Sequence, residues 1–306
     1  MVSRRSFLRA AGKLFAAGVA AAAYGVIVEQ FFGLRIARYA FTPPGWPQGL
    51  RLRLAVLADV HACAPWMSAA RIADIVALTN ECGADAALLL GDYIGTHRFQ
   101  FQEPMRDWAS ALARLDAPLG VHAVLGNHDW WMDPAAMRRE SGLPAAGLAL
   151  QDAGVRVYQN DAVRLRKDDR PFWLAGLGDQ LAFGRARGRG GADRGIDDLP
   201  GMLGKITDDA PVVMMAHEPD IFPQTPKRVS LTISGHTHGG QVTLFGWAPV
   251  VPSRYGSRYV YGHIVEDERH LLVSGGLGCS GLPIRVGARP EIVILDLGVA
   301  DQPAVA

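Results

Sequence analysis

The sequence has few cysteines, almost no net charge and no internal repeat, and each absence removes a class of protein. Three cysteines in 306 residues, Cys63, Cys82 and Cys279, are too few and too odd in number for a disulfide framework, so at most one disulfide is expected and its pairing stays open. A formal net charge of +1 gives no reason to expect nucleic acid as a partner. The lack of a repeat excludes a solenoid or a propeller.

The chain is long enough for one large domain behind a short N-terminal segment. We predict a signal or membrane anchor over residues 1–29, a linker or N-terminal arm over 30–50, the main domain over 51–299 and a tail over 300–306. Removing the first segment leaves roughly 260–280 residues, which suffice for a single α/β domain with an ample core.

Five short apolar runs predict buried strands. They are often β-branched and too short for helices, as is typical of strands covered on both faces of a sheet. The runs cover residues 52–57, 86–90, 121–125, 212–216 and 229–234. Between them the pattern predicts helices, one of which begins after the N-cap Ser68 and stops at Gly83, while another begins at Asp133-Pro134.

Residues of the kind that bind metals follow each of the five runs. In chain order the blocks are Asp59-Val60-His61, Gly91-Asp92, Gly126-Asn127-His128-Asp129, His217 and Gly235-His236-Thr237-His238. Because loops beyond the strand ends of a layered α/β fold collect in one crevice, we expect these residues to converge. Carboxylate, amide and imidazole ligands without a thiolate suit Mn, Zn or Fe and argue against a structural zinc site. The set predicts two divalent ions about 3.5–4 Å apart that share Asp92.

The blocks resemble the calcineurin-like metallophosphoesterase superfamily, whose pattern runs D-x-H, G-D, G-N-H-[DE], H and G-H-x-H in this order. The resemblance spans residues 59–238 without substitution. It implies an α/β fold, a layered α-β-β-α sandwich with a dinuclear metal site at the strand ends. It also implies the ligands: Asp59, His61 and His238 for one ion, Asn127, His217 and His236 for the other, and Asp92 as the bridge.

Two further residues receive catalytic roles from the same resemblance. His128 would stabilise or protonate the leaving oxygen, and Asp129 would orient the ring of His128. A hydroxide that bridges the ions would be the nucleophile, because metal binding lowers the pKa of water toward neutrality. The implied protein is a metallophosphoesterase, a hydrolase that cleaves a phosphodiester, a pyrophosphate or a phosphomonoester.

The C-terminal part extends the resemblance toward a bacterial branch of secreted or membrane-associated phosphodiesterases. That branch includes enzymes similar to UDP-2,3-diacylglucosamine pyrophosphatases, which favours an envelope or lipid-linked substrate. The similarity rests on Gly239-Gly240-Gln241 and on residues 274–292, in which Arg285 or Arg289 is expected to point to the crevice. A non-catalytic, metal-stabilised envelope binding protein on the same fold is the alternative. The complete ligand sets and His128 favour the enzyme.

The N-terminus resembles a twin-arginine export signal. Ser3-Arg4-Arg5-Ser6-Phe7-Leu8-Arg9 precedes an alanine-rich apolar stretch over residues 10–28. The twin-arginine machinery would then be a partner, the location would be periplasmic or extracytoplasmic, and a folded protein could load its metals before export. An ordinary signal-anchor helix is the alternative. Cleavage or retention as a membrane anchor stays open, since Ala21-Ala22-Ala23 is a poor cleavage site.

Several features outside the blocks carry weaker expectations. Phe31, Phe32 and Trp46 either face a membrane surface or pack on the domain. Residues 184–195 are expected to form a flexible basic loop, either a solvated insertion or a lid. His97 is expected at the rim of the crevice. Structural roles are expected for His122, His263 and His270.

Overall fold

The computed structural model describes residues 3–96, 99–184, 194–300 and 302–305. The chain begins with a helix, α1 (Arg4–Ala23), which continues through a π-helical turn (Tyr24–Val28) into α2 (Glu29–Phe32). No residue of α1 is buried, whereas residues of the turn and of α2 pack on the domain. Within the described ranges, this is the one helix long and apolar enough to cross a membrane.

Fifteen strands follow within the described ranges, and most of them belong to two mixed sheets. In chain order they are β1 (Arg35–Phe41), β2 (Leu52–Leu57), β3 (Cys63–Ala64), β4 (Ala86–Leu89), β5 (Phe101–Gln102), β6 (Val121–Ala123), β7 (Arg156–Val157), β8 (Asp161–Lys167), β9 (Arg170–Gly176), β10 (Val212–Met215), β11 (Leu231–Ser234), β12 (Gly262–Glu266), β13 (Arg269–Val273), β14 (Glu291–Leu297) and β15 (Gln302–Val305). The first sheet has the order β15-β1-β14-β2-β4-β6-β7 and the second β12-β13-β11-β10-β9-β8.

The predicted strands are parallel neighbours within these sheets. The run at residues 52–57 is β2, which pairs in parallel with β4, and β4 pairs in parallel with β6. In the second sheet β10 and β11 are parallel. Several strands end one or two residues before the predicted limit, because the chain leaves the ladder to present the polar blocks. The carboxyl ends of the parallel strands therefore share one edge in each sheet.

Helices cover the outer faces of the two sheets. They are α3 (Ala69–Asn80), α4 (Met105–Leu112), α5 (Asn127–Trp131), α6 (Pro134–Arg139), α7 (Ala145–Asp152) and α8 (Leu199–Leu203), with a 3-10 turn at Pro219–Gln224. α3, α4 and α7 pack on the first sheet, whereas α8 and the 3-10 turn pack on the second. Between the sheets, side chains such as Leu54 and Leu88 meet Val213 and Ile233 in a fully buried layer. The predicted α-β-β-α sandwich is confirmed.

The predicted helix starts are also present. The Ser68 hydroxyl accepts a hydrogen bond from the backbone N–H of Arg71 and caps α3. The buried face of α3 consists of Ile72, Ile75, Val76 and Thr79, at helical spacing. Asp133 caps α6 in the same way, with Pro134 at the first helical position.

Part of the predicted linker or arm lies inside the first sheet. β1 pairs in parallel with β14 over seven residues, and the tail segment β15 pairs with its other edge. In the structure Arg35–Phe41 is thus a strand of the first sheet. Buried and more exposed side chains alternate along this strand: Ala37, Tyr39 and Phe41 are buried on one face, with Arg38 exposed between them. The proline-rich stretch that follows made this short pattern hard to recognise in the sequence.

Candidate dinuclear metal centre

The polar blocks meet in one buried cluster at the shared edge of the two sheets. Two groups of ligand atoms form there, each with its members within 4.8 Å of one another; the groups are Asp59, His61, Asp92 and His238, and Asp92, His217 and His236. Asp92 belongs to both groups. Its Oδ2 atom lies 3.3 Å from Nε2 of His217 and 3.6 Å from Nε2 of His61. The structure thus brings six of the seven predicted ligands into two adjoining sites that share one carboxylate.

Backbone contacts hold the two halves of the cluster together. The amide of Asp59 donates to the carbonyl of Gly91 at 3.1 Å, and the amide of His236 donates to both oxygens of Asp59 at 3.0 Å. Glycine is needed at two of these turns. A Cβ on Gly126 would lie 2.3 Å from Oδ1 of Asp92, and Gly91 adopts φ +92°. The glycines of the G-D and G-N-H-D blocks therefore allow the two loops to lie close to each other.

Each histidine of the cluster is fixed by a hydrogen bond to a backbone carbonyl. Nδ1 of His61 donates to Ile94 at 3.0 Å, and Nδ1 of His217 donates to Leu90 at 2.6 Å. The other two rings donate to Pro252 and Gly278 at 2.9 and 3.3 Å. Since a carbonyl only accepts, the bonded nitrogen carries a proton, and the opposite nitrogen is the one that would present its lone pair to a bound cation. Such outer contacts are typical of metal-ligating imidazoles.

Five of the predicted ligands have a left-handed backbone. The φ angles are +52° at Asp59, +46° at His61, +57° at Asp92, +68° at His236 and +54° at His238. Residues with a side chain adopt this region rarely and at a cost, and such strain concentrates where geometry serves a function. In this chain the left-handed backbone turns the side chains of successive loops toward one point.

The charges and orphan atoms of the cluster fit divalent cations. The carboxylates of Asp59 and Asp92 are buried, and their ion-pair partners in the described residues are histidines. Burial raises the pKa of Asp59 to about 7 and lowers the pKa of His61 to about 3, so this imidazole is neutral and able to ligate at neutral pH. The Oδ1 atom of Asn127 is buried without a hydrogen-bond partner. A cation would supply both the missing charge and the missing partner.

His128 lies beside the cluster and has a partner that the sequence did not indicate. Its ring is 5.2 Å from the ring of His61, centroid to centroid. Nε2 of His128 is 3.2 Å from the hydroxyl of Ser280, and its backbone amide donates to Oδ1 of Asp92 at 2.9 Å. Ser280 belongs to the glycine-rich turn after β13, which carried no signal for this contact.

Asp129 does not contact the ring of His128, which corrects the predicted orienting role. Its carboxylate accepts hydrogen bonds from the backbone amides of Asp92, Tyr93 and Gly126 at 2.8 to 3.0 Å. Asp129 stands in the first turn of α5, from which its side chain turns back to the loops that precede it. It therefore ties the G-D loop to the G-N-H-D loop and fixes the backbone that carries Asp92.

Replacing Asp129 with Ala tests this structural role. The substitution leaves three buried amides without an acceptor, and each unsatisfied group costs about 1–3 kcal/mol. We expect the free energy of unfolding of the metal-free protein to fall by at least about 3 kcal/mol, measured by urea denaturation. The exposed Asp152→Ala on α7 is the control and is expected to change it by less than about 0.5 kcal/mol. An unchanged stability with a reduced turnover would restore the ring-orienting role.

Arg285 is a second supporting residue of the centre. It is fully buried, and its Nε and Nη2 both donate to the carbonyl of Gly278, at 3.0 and 2.5 Å. The same carbonyl accepts from Nδ1 of His238, so Arg285 supports His238 through Gly278. Arg289 instead donates to the carbonyl of Gly33 at 2.8 Å. Of the two arginines expected near the crevice, Arg285 reaches it and Arg289 does not.

A buried carboxylate pair on the far side of His217 escaped sequence reasoning. Asp179 and Glu218 form a third group with His217 within 4.8 Å. Burial raises the pKa of both carboxyl groups. Oε2 of Glu218 accepts from the backbone amide of Gln180 at 3.1 Å and from its side-chain amide at 3.3 Å. Asp179 follows no recognisable motif, so only the position of Glu218 directly after His217 offered a signal.

The remaining expectations concern residues away from the cluster. His122 bonds to Tyr158 and Leu119, at 2.8 Å each, and His263 lies 3.0 Å from His270, as expected of structural histidines. No disulfide joins Cys63, Cys82 or Cys279 among the described residues. His97 and most of the basic loop, residues 185–193, lie outside the described residues.

Comparison with known proteins agrees with this geometry. A family profile described as calcineurin-like phosphoesterase matches residues 52–240. The phosphodiesterase YaeI of Escherichia coli (strain K12) is 30% identical over 316 residues, covering 97% of this chain and 100% of the relative. The uncharacterized metallophosphoesterase YkuE of Bacillus subtilis (strain 168) is 27% identical over 303 residues, covering 97% and 98%. A transmembrane protein with metallophosphoesterase domain from Danio rerio is 26% identical over 80% of this chain and 53% of its own length.

Proposed function

Because the chain belongs to the calcineurin-like phosphoesterase family, a family of hydrolases that use two divalent metals, we propose that it cleaves phosphodiesters or pyrophosphates at the cell envelope. The observation that carries this proposal is the pair of buried ligand groups that share Asp92, with His128 beside them. A phosphodiester is favoured over a monoester because a relative that matches over its whole length is named a phosphodiesterase. Mn, Zn and Fe all suit these ligands.

In this proposal the ligands divide as the sequence resemblance implied. One ion would be held by Asp59, His61, His238 and Asp92, and the other by Asn127, His217, His236 and Asp92. When bound, such ions lower the pKa of water and offset the charge that develops on the phosphate. Arg285 and the backbone carbonyls keep the imidazoles aimed at the ions.

His128 supplies the second part of the proposed chemistry. Burial lowers the pKa of His128, so the neutral ring carries one N–H at neutral pH. The hydroxyl of Ser280, 3.2 Å from Nε2, fixes the ring beside the ions. From there the ring donates its hydrogen to the leaving oxygen of the ester. A binding protein on the same fold, the alternative function, has no use for this donor.

An activity screen tests the proposal directly. The full chain, reconstituted with Mn or Zn, would be assayed against bis-p-nitrophenyl phosphate, p-nitrophenyl phosphate, nucleotides and a lipid-linked pyrophosphate. We expect metal-dependent turnover that is fastest for the diester or the pyrophosphate. Metal binding without turnover of any substrate would favour the envelope binding protein.

We further propose that the twin-arginine route exports the protein and that the N-terminal helix then holds it at the membrane. The helix α1, Arg4–Ala23, is exposed along its whole length, and a helix of about 20 residues reaches across a bilayer. Its basic residues Arg4, Arg5, Arg9 and Lys13 all lie in its N-terminal half, as expected of a cytoplasmic end. The following turn and α2 pack on the hydrolase domain, which therefore lies close to the outer surface.

Export is tested by the paired substitution Arg4→Lys with Arg5→Lys. The change keeps the positive charge but removes both guanidinium groups, which the twin-arginine route reads. We expect folded, active enzyme to remain in the cytoplasm, measured by fractionation and hydrolysis of the diester. Arg9→Lys is the control and is expected to leave export intact. Unchanged export of the double variant would assign the segment to the general secretory route.

A further inference from the structure

An apolar pocket opens directly beside the metal centre. It has a volume of about 500 Å³ and is lined by Val242, Pro249, Val250, Leu282 and Ile284, and it reaches His238 and Ser280. His238 is a member of the ligand cluster, and the hydroxyl of Ser280 contacts the ring of His128. A group bound in the pocket would therefore be continuous with an ester at the ions. Ligand pockets of this size and character commonly bind apolar groups.

One wall of the pocket is an apolar hairpin, residues 242–250. The backbones of Leu244 and Trp247 bond to each other at 2.9 and 3.0 Å and close its tip. Phe245 at the tip is fully exposed, Trp247 is 64% exposed and Val250 is 74% exposed. The opposite wall is held in place by Gln241, whose side chain bonds to the backbone of the 280–282 turn at 2.8 to 3.1 Å. Several large apolar side chains that face solvent together mark a surface that meets an apolar partner.

The hairpin and the N-terminal helix are attached to the same short segment, residues 284–287. On one side, the amide of Thr243 donates to the carbonyl of Val286 at 2.7 Å. On the other, the amide of Arg285 donates to the carbonyl of Gly25 at 3.1 Å, and the amide of Gly287 donates to Glu29 at 3.0 Å. The helix packs so closely that a Cβ on Gly25 would lie 2.8 Å from the carbonyl oxygen of Arg285.

This attachment relates the hairpin to the end of the exposed helix. The helix α1 ends at Ala23, two residues before Gly25, the first residue of this N-terminal segment that is buried against the domain. If α1 spans the bilayer, the docked segment lies near the membrane surface, and the base of the hairpin is attached to that same segment. Aromatic residues such as Phe245 and Trp247 are typical of this interface.

We propose that the pocket holds one hydrocarbon chain of a membrane lipid whose phosphate ester is the substrate, and that the apolar hairpin leads the chain from the bilayer to the metal centre. This inference rests on the proposed function and adds the part of the molecule that binds the lipid chain. In this arrangement the hydrocarbon chain stays in contact with apolar groups as it passes from the bilayer to the pocket. The phosphate moves only from the membrane surface to the neighbourhood of His238. Specificity then comes from the chain as well as from the phosphate.

A series of water-soluble substrates tests the pocket. The full chain in detergent-free, amphipol-stabilised form would hydrolyse p-nitrophenyl alkyl phosphodiesters whose alkyl group is ethyl, butyl, hexyl or octyl, each below its aggregation limit. Burial of a methylene is expected to raise kcat/KM about threefold for each carbon added. The double variant Val250→Ser with Leu282→Ser should flatten this rise and leave the rate on the ethyl diester within about twofold.

The matched control replaces the same residue types at similarly exposed positions. Val265→Ser with Leu148→Ser removes side chains that are 52% and 50% exposed and do not line the pocket, and it should keep the full rise. A flat series in the wild type, with normal hydrolysis of the ethyl diester, would overturn the lipid inference and leave the proposed function intact. No hydrolysis of the ethyl diester would count against the proposed function itself.

The hairpin is tested with a lipid in a bilayer. The full chain would be reconstituted in phosphatidylcholine vesicles that contain phosphatidyl-p-nitrophenol. We expect Phe245→Ser with Trp247→Ser to reduce turnover of this lipid at least tenfold while the rate on the soluble ethyl diester is unchanged. Equal rates of wild type and variant on the lipid would overturn the role of the hairpin. A concentration-dependent dimer that the same variant abolishes would assign the surface to a second copy of this chain.

Discussion

Replacing Asp92 with Asn is expected to lower the metal content from two ions per chain to one or fewer and to reduce hydrolysis about a thousandfold. Oδ2 of Asp92 lies between His61 and His217, at 3.6 and 3.3 Å, so both ligand groups depend on it. An amide nitrogen at this position carries neither charge nor a lone pair for a cation. An ion contributes several kcal/mol of transition-state stabilisation, and each 1.36 kcal/mol is a tenfold change in rate.

The comparison is made by elemental analysis after reconstitution with Mn or Zn and by hydrolysis of bis-p-nitrophenyl phosphate. Asn keeps an oxygen for the amide of His128, which now donates to Oδ1 at 2.9 Å, so the loop is expected to stay folded. Asp267→Asn in an exposed turn is the control and should retain both ions. A variant with two ions and normal turnover would show that Asp92 does not bridge them.

The candidate metal centre could be predicted from the sequence because residue types that bind metals stand directly after apolar runs that are recognisable as strands. An apolar run followed at once by Asp59 or His217 predicts a buried strand that ends in a polar residue. Such residues meet where the strand ends lie at one edge of a sheet. The strand runs are apolar enough to be read without context, since both faces are buried. The reason for Gly126 is visible only in the structure, where a Cβ would lie 2.3 Å from Oδ1 of Asp92.

What escaped prediction depends on contacts between segments far apart in the chain. Asp129 was expected to face its neighbour His128, but its carboxylate accepts from amides about 36 residues earlier. Ser280 reaches His128 across 152 residues. Neither pairing leaves a periodicity or a spacing in the sequence. The strand Arg35–Phe41 was missed for a different reason: its parallel partner is β14, at the other end of the chain, and only that pairing turns a short alternation into a strand.

Replacing His128 with Ala is expected to keep both ions and to reduce turnover about 10²- to 10⁴-fold, the usual cost of removing a general acid or charge stabiliser. The ring is not one of the ligand groups, so the metal content should not change. Its nearest polar partner is Ser280, and Ser280→Ala should produce a smaller loss of the same kind, since the ring remains but is less well fixed.

The size of the loss should depend on the leaving group, and this dependence separates chemistry from shape. p-Nitrophenolate leaves readily without help, whereas phenolate needs a hydrogen-bond donor, so His128→Ala should slow phenyl diesters more than p-nitrophenyl diesters. His270→Ala, in the second sheet away from the cluster, is the control and should affect neither series. If the ring of His128 only filled space, its removal would slow the hydrolysis of every substrate by the same factor. Equal losses for the two leaving groups would therefore show that His128 takes no part in the reaction and would leave the metal ions as its only catalysts.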